Sequence, residues 1–207
     1  IIQDGLRRMY VDGESVFYYV TVMNENYAMP AIPKGVEQGI LNGLYLLSIG
    51  GRGKVRATLM GAGTILREVQ AAAEILEKDY GVPADVFSAP SFSELRREAL
   101  DCERWNLLNP NEPPRVPYVA QCLGDRQGPF IAATDYVRNV PEQIRQWVPG
   151  SFHVLGTDGY GRSDSRAALR GFFEVDYRYV VLATLKLLAD EGKLDRATVM
   201  SALATFA

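Results

Sequence analysis

The sequence predicts an α/β fold, a mostly parallel sheet flanked by helices. Three observations support it. From Lys54 onward, short apolar runs alternate with longer stretches whose apolar residues recur every three or four positions, the order expected of strands joined by helical crossovers. The boundaries carry stop and start residues: Gly81 closes one helical stretch, and Ser91 with Glu94 three positions on forms a capping box for the next. The 207 residues, 47% hydrophobic and 23% charged, suffice for one substantial core in an ordinary globular composition.

The elements follow in order. Residues 1–10, "IIQDGLRRMY", read as the end of a helix, and 15–22, "SVFYYVTV", as a strand with aromatic and β-branched residues on both faces, one that wants burial on both sides. Nothing nearby in sequence covers it. Residues 35–47 form an amphipathic pattern with Val36, Ile40, Leu44 and Leu47 on one face. A strand over 55–60 ends in glycines, and a helix opens at Thr64 with Ile65, Val69, Ala72, Ala73, Leu76 and Tyr80 inward. A strand at 84–90 and a helix over 91–107 follow. The proline-rich stretch from Asn109 is expected to be a long surface loop with a short strand near 118–121. Further strands are placed at 129–136 and 153–155, with a short helix at 141–148 between them. The chain then reads as helices over 165–173, 177–191 and 196–206, the last N-capped by Asp195. A chain that begins with Ile inside a helical pattern reads as a piece of something longer.

Composition removes several functions. No apolar run approaches the roughly 20 residues that span a bilayer, so no membrane role is expected. With 22 Lys and Arg against 25 Asp and Glu, the chain offers no general attraction to a phosphate backbone, and nucleic acid is not an expected partner. Cys102 and Cys122, in a sequence without a secretory start, read as reduced thiols of a cytoplasmic protein. His153 is the only histidine, and no cysteine pairing has zinc spacing, so no metal site is expected.

Four stretches have residues suited to chemistry. "GAGTILR", residues 61–67, is a glycine turn between strand and helix, but Leu66 stands where the dinucleotide fingerprint needs a third glycine, and tight packing accounts for the other two. Glu68 stands just beyond it, at the sheet edge where open α/β folds place ligands; a first-turn carboxylate favoured by the helix dipole is the structural alternative. "GTDGYGRSDSR", residues 156–166, could hold an anion on Arg162 and backbone amides, or Asp164 or Ser165 could cap the next helix while Arg162 ion-pairs across the loop. The charge-dense helix from Ser93 to Asn106 reads as a solvated face, with Trp105 as a possible subunit contact. His153, between Phe152 and Val154, is read as structural. No nucleophile elbow or P-loop is present.

The strings "VFYYVTVMNENYAMPAIPKGVEQGI", "LMGAGTILREVQAAAEIL", "SFSELRREALDCERWNLL", "PRVPYVAQCL", "AATDYV" and "VLGTDGYGRSDSRAALRGFFEVD" keep one order along nearly the whole chain. Together they resemble the C-terminal part of the homodimeric bacterial pyruvate dehydrogenase decarboxylating subunit, of the transketolase-like superfamily. The resemblance implies a transketolase C-terminal-domain-like fold preceded by the last helix and strand of a pyrimidine-binding domain. Residues 1–27 would be the tail of that domain, 28–47 a crossing segment and 48–207 the C-terminal domain.

The resemblance also implies a function for the whole subunit: decarboxylation of pyruvate with thiamine diphosphate and Mg2+, and acetyl transfer to the lipoyl group of the dihydrolipoyl acyltransferase core, by a cytoplasmic homodimer. It implies that Tyr27, in "NENY", lines the substrate-side wall of the active site, and that the position of Glu68 approaches the cleft. It leaves the cofactor to parts outside this sequence, because "GTDG" is not the family's "GDG" turn and no Asn follows Asn139. The fragment alone is expected to be inactive. A stand-alone α/β interaction or dimerisation module is the reading from another class.

Overall fold

A computed structural model describes residues 1–206. The N-terminal helix α1 (Ile2–Leu6) widens into one π-type turn over Arg7–Val11. Helix α2 (Glu37–Asn42) leads into strand β1 (Tyr45–Ser48). Next come β2 (Ala57–Gly61), α3 (Leu66–Tyr80), β3 (Ala84–Ser88), α4 (Phe92–Leu108) and α5 (Tyr118–Leu123). The chain continues through β4 (Phe130–Ala133), α6 (Asn139–Glu142) and β5 (Phe152–Leu155) to α7 (Arg166–Phe172), α8 (Tyr177–Asp190) and α9 (Arg196–Phe206).

The five strands form one sheet in the order β1-β3-β2-β4-β5. β3, β2, β4 and β5 are parallel, with Leu59 opposite Val86 on one side and Ile131 on the other. β1 runs antiparallel to β3 at the edge. The mostly parallel α/β sheet read from the sequence is therefore present.

Period-two alternation divides the sheet between two cores. Ala57, Leu59, Ile131 and Ala133 face α3, α8 and α9. Met60, Phe130 and Ala132 face α4 and α5, against Leu95, Val119 and Leu123. Each fully buried leucine contributes roughly 1.5–3 kcal/mol. Gly61 allows β2 and the start of α3 to meet: a Cβ there would lie 2.6 Å from the Leu66 Cα. The close approach that the dinucleotide fingerprint assigns to a glycine at position 66 is thus provided by Gly61 instead.

The helix signals are realised. Gly81, at φ +65°, closes α3. Ser91 accepts the Glu94 N–H at 3.1 Å, Ser165 the Ala168 N–H at 3.3 Å, and Asp195 the Ala197 N–H at 2.9 Å.

Three expectations are corrected. Residues 15–22 form no strand: the segment is extended and unpaired, with Phe17, Tyr19 and Val22 each more than 85% exposed. The residues have strand propensity but no partner among the described residues, and a strand needs one. Only Tyr18 is held, its ring against Gly5 and its hydroxyl donating to Asp4 at 3.1 Å. Residues 35–47 do not make one helix, because Gly43 at φ +92° ends α2 and the next residues pair with β3 as β1. Residues 118–121 are helical rather than extended; the Glu98 carboxylate of α4 accepts the Tyr118 N–H at 2.8 Å and so fixes the first turn of α5.

Candidate functional site

The chain passes from β2 to β3 on one side and then crosses back to β4 on the other, so β2 and β4 flank a topological switch point. Ligands of open α/β sheets bind in the crevice outside the carboxyl ends of such strands. A cleft of ≈ 350 Å³ lies there. Thr64 follows β2, Asp135 follows β4 and Thr157 follows β5; Arg162, Arg166 and Arg170 come from the glycine loop and α7, and Met23 from the extended segment. Leu169, Phe173 and Val175 supply apolar surface.

The "NENY" segment lies beside this cleft, held by charge. The Glu25 carboxylate accepts from Arg170 at 2.7 Å and Arg67 at 3.1 Å, and stands 3.6 Å from Arg166. Asn24 accepts a second bond from Arg166. The hydrogen bond from Arg170, then the charges of Arg170, Arg166 and Arg67, hold the Glu25 carboxyl below its usual range against the opposing effect of burial. Two residues on, the Arg67 guanidinium sits 4.4 Å from the centre of the Tyr27 ring.

Glu68 joins the same network. Its carboxylate lies 3.4 Å from Arg170 and accepts the Tyr177 N–H at 3.2 Å, at the first turn of α8. Tyr27 and Glu68, far apart in sequence, are therefore linked through Arg67, Glu25 and Arg170, and of these five residues only Arg170 lines the cleft itself. Asp135 is half-buried, and burial pushes its carboxyl above the usual range, opposed by a backbone hydrogen bond and by Arg170.

Of the other sequence candidates, Arg162 lines the cleft and the rest lie apart. Arg162 makes no ion pair among the described residues; its guanidinium lies 4.0 Å from the Phe172 ring centre. Asp158 instead pairs with Arg138 at 2.9 Å, and Asp164 accepts the Ser165 N–H at 2.6 Å. Trp105 is stacked under Arg115 within the chain, at 4.1 Å. The charged face of α4 is only partly solvated, since Glu98 caps α5 and Glu103 accepts the Trp147 indole N–H at 2.9 Å. His153 is the exposed residue of β5, its imidazole pushed below the usual value first by desolvation and then by Arg138 and Arg145. Cys102 and Cys122 are unpaired; burial, with the hydrogen bond to Glu98, pushes the Cys102 thiol up to about 11, so it is an inert thiol rather than a nucleophile.

Comparison with known proteins fits this architecture. The sequence profile described as "Transketolase-like TK C-terminal domain" matches residues 43–176. The chain belongs to this family. A second profile, "Pyruvate dehydrogenase E1 component middle domain", matches residues 1–30. Across 208 residues this transketolase-like chain is 54% identical to the pyruvate dehydrogenase E1 component of Pseudomonas aeruginosa, covering 100% of the chain and 24% of that relative. It is likewise 54% identical over 210 residues to the E1 component of Escherichia coli K12, covering 23% of it. The chain thus spans about a quarter of the length of these curated relatives. A transketolase from Leishmania mexicana matches with a TM-score of 0.50 at 18% identity, over 74% of this chain and 19% of that one, a likeness of fold.

The transketolase-like pyruvate dehydrogenase E1 family implies thiamine diphosphate in general. Among the described residues no group of three or more His, Cys, Asp or Glu could hold a metal ion, and the charged lining of the cleft is mainly arginine. These residues offer no evident site for the cofactor, so no chemical step is assigned to it in this chain.

Proposed function

We propose that the chain is part of a pyruvate dehydrogenase E1 subunit, which decarboxylates pyruvate and passes the acetyl group to the lipoyl group of a dihydrolipoyl acyltransferase. The supporting observation is the 54% identity that runs through the whole chain to E1 components of two bacteria. In this reading residues 1–27 are the tail of the pyrimidine-binding domain, 28–47 the crossing segment and 48–207 the C-terminal domain. The subunit is a cytoplasmic homodimer, and thiamine diphosphate and Mg2+ are held by parts of it outside this chain. The bare apolar side chains of Phe17, Tyr19 and Val22 support a missing neighbour, because a run of this kind is normally covered.

Tyr27 forms part of the substrate-side wall, its ring steadied by Arg67. Glu68 stands behind Arg170, which lines the cleft. A bare carboxylate there would repel pyruvate; Arg170 and the Tyr177 N–H absorb its charge, which makes the position compatible with an anionic substrate.

The test is pyruvate-dependent acetylation of lipoamide by the full-length subunit with thiamine diphosphate and magnesium. Activity is expected, and Tyr27→Phe should lower kcat/KM about tenfold or more with Tm unchanged. Absence of CO2 release from pyruvate would reject the enzyme reading, and a Tyr27→Phe variant with wild-type kcat/KM would reject the role of the tyrosine.

A further inference from the structure

We propose that the cleft at the switch point is a binding site for a small phosphate-bearing molecule, gripped by Arg162 and Arg166. The cleft is formed by the transketolase-like domain together with Met23 of the extended segment, and failure of phosphate binding would leave the proposed reaction standing.

The charges in the cleft are unequally committed. Arg170 is taken up by Glu25 and Glu68. Arg166 stands 3.6 Å from Glu25 and donates one short bond to Asn24, which leaves its other N–H groups uncommitted among the described residues. Arg162 has no carboxylate partner among the described residues, and its guanidinium carbon lies 4.0 Å from the centre of the Phe172 ring. A guanidinium held over a ring and not ion-paired keeps its N–H groups for a ligand, and arginine can bind phosphate bidentately.

The glycine loop adds donors. Asp158 is turned away to Arg138 by a 2.9 Å ion pair, and among the described residues none of the backbone N–H groups of Gly159, Tyr160, Gly161 or Arg162 is donated to a protein carbonyl. Gly159 and Gly161 line the cleft, so the exposed amides of this loop are available as further donors.

Phosphate suits this donor set better than carboxylate does. A carboxylate offers two oxygens, whereas three phosphate oxygens can serve two guanidinium forks and the loop amides together. The volume of ≈ 350 Å³ exceeds what a phosphate group fills. The remaining space lies over Leu169 and Phe173 and beside Thr64 and Asp135, which could receive a hydroxyl of the ligand body.

The experiment is calorimetric titration of the full-length protein at low ionic strength, with its cofactor sites first saturated with thiamine diphosphate and magnesium. The probes are glycerol 3-phosphate and, as the carboxylate comparison, acetate. Saturable binding of glycerol 3-phosphate near 1 mM or tighter is expected, weakened about tenfold by Arg162→Gln and less by Arg162→Lys. Arg104→Gln, on the far surface of α4, should leave it unchanged. Because Arg162 is exposed and unpaired, its variants are expected to fold, which thermal unfolding verifies. Absence of saturable binding, binding that survives Arg162→Gln, or acetate binding as tight as that of the phosphate ester would each overturn the proposal.

Discussion

Asp85 is the second residue of β3 and is 5% exposed, yet it carries a charge. Its two oxygens take Arg56 at 2.7 Å and Arg126 at 3.1 Å, and the Gly50 N–H donates to it at 3.1 Å. The residue lies at the end of the sheet opposite the cleft, so its role is to tie the 50–56 loop and the 126 turn to the strand. Asp85→Ala would leave two guanidinium groups facing a dry strand without their counter-charge. A loss of about 3 kcal/mol is expected, read as a fall in Tm of roughly 6–12 °C by calorimetry. At this scale the sequence singled out Tyr27 and Glu68 as candidates but not the charge network that connects them. Arg166 and Arg170 are spaced one helical turn apart on α7, a signal visible in the sequence, whereas nothing local announces that both reach Glu25 across more than a hundred residues.

The extended segment from Asp12 to Lys34 has no ladder and little burial, so its attachment rests on side-chain charge. Glu25 carries most of it. Because the carboxyl is held below its ordinary value of 4.5, the tether contributes fully above that value and is lost as pH falls through the lowered one. Glu25→Gln should therefore increase the backbone mobility of residues 23–29 at neutral pH, read as lower amide order parameters by NMR, and acidification through the lowered value should do the same to the wild type and little more to the variant. Unchanged order parameters in the variant would show that another contact holds the segment. Elements whose limits depend on local chemistry were legible: Ser91, Ser165 and Asp195 cap where the sequence places them. α5 was misread because its start depends on Glu98, which is distant in sequence, and because "PYVAQCL" has the β-branched and aromatic content of a strand.

Over the whole molecule, the two cores begin at Leu44 and draw no residue from the first 34. Removal of residues 1–34 should leave cooperative thermal unfolding with a Tm within about 4 °C of the intact chain, followed by circular dichroism. Loss of cooperativity would mean that the N-terminal part belongs to the fold.

The sequence alone determined the layered α/β architecture, the side-chain-capped helix starts and the family, since each depends on periodicity, caps and ordered strings that lie within a few residues of one another. It also raised the expectation that residues 15–22 want a neighbour. Only the tertiary structure decided the sheet order, the edge strand β1 and the arginine cluster around Glu25. Those depend on which surfaces meet after crossovers, and a guanidinium reaching over a sheet edge leaves no periodic trace in the chain that carries it.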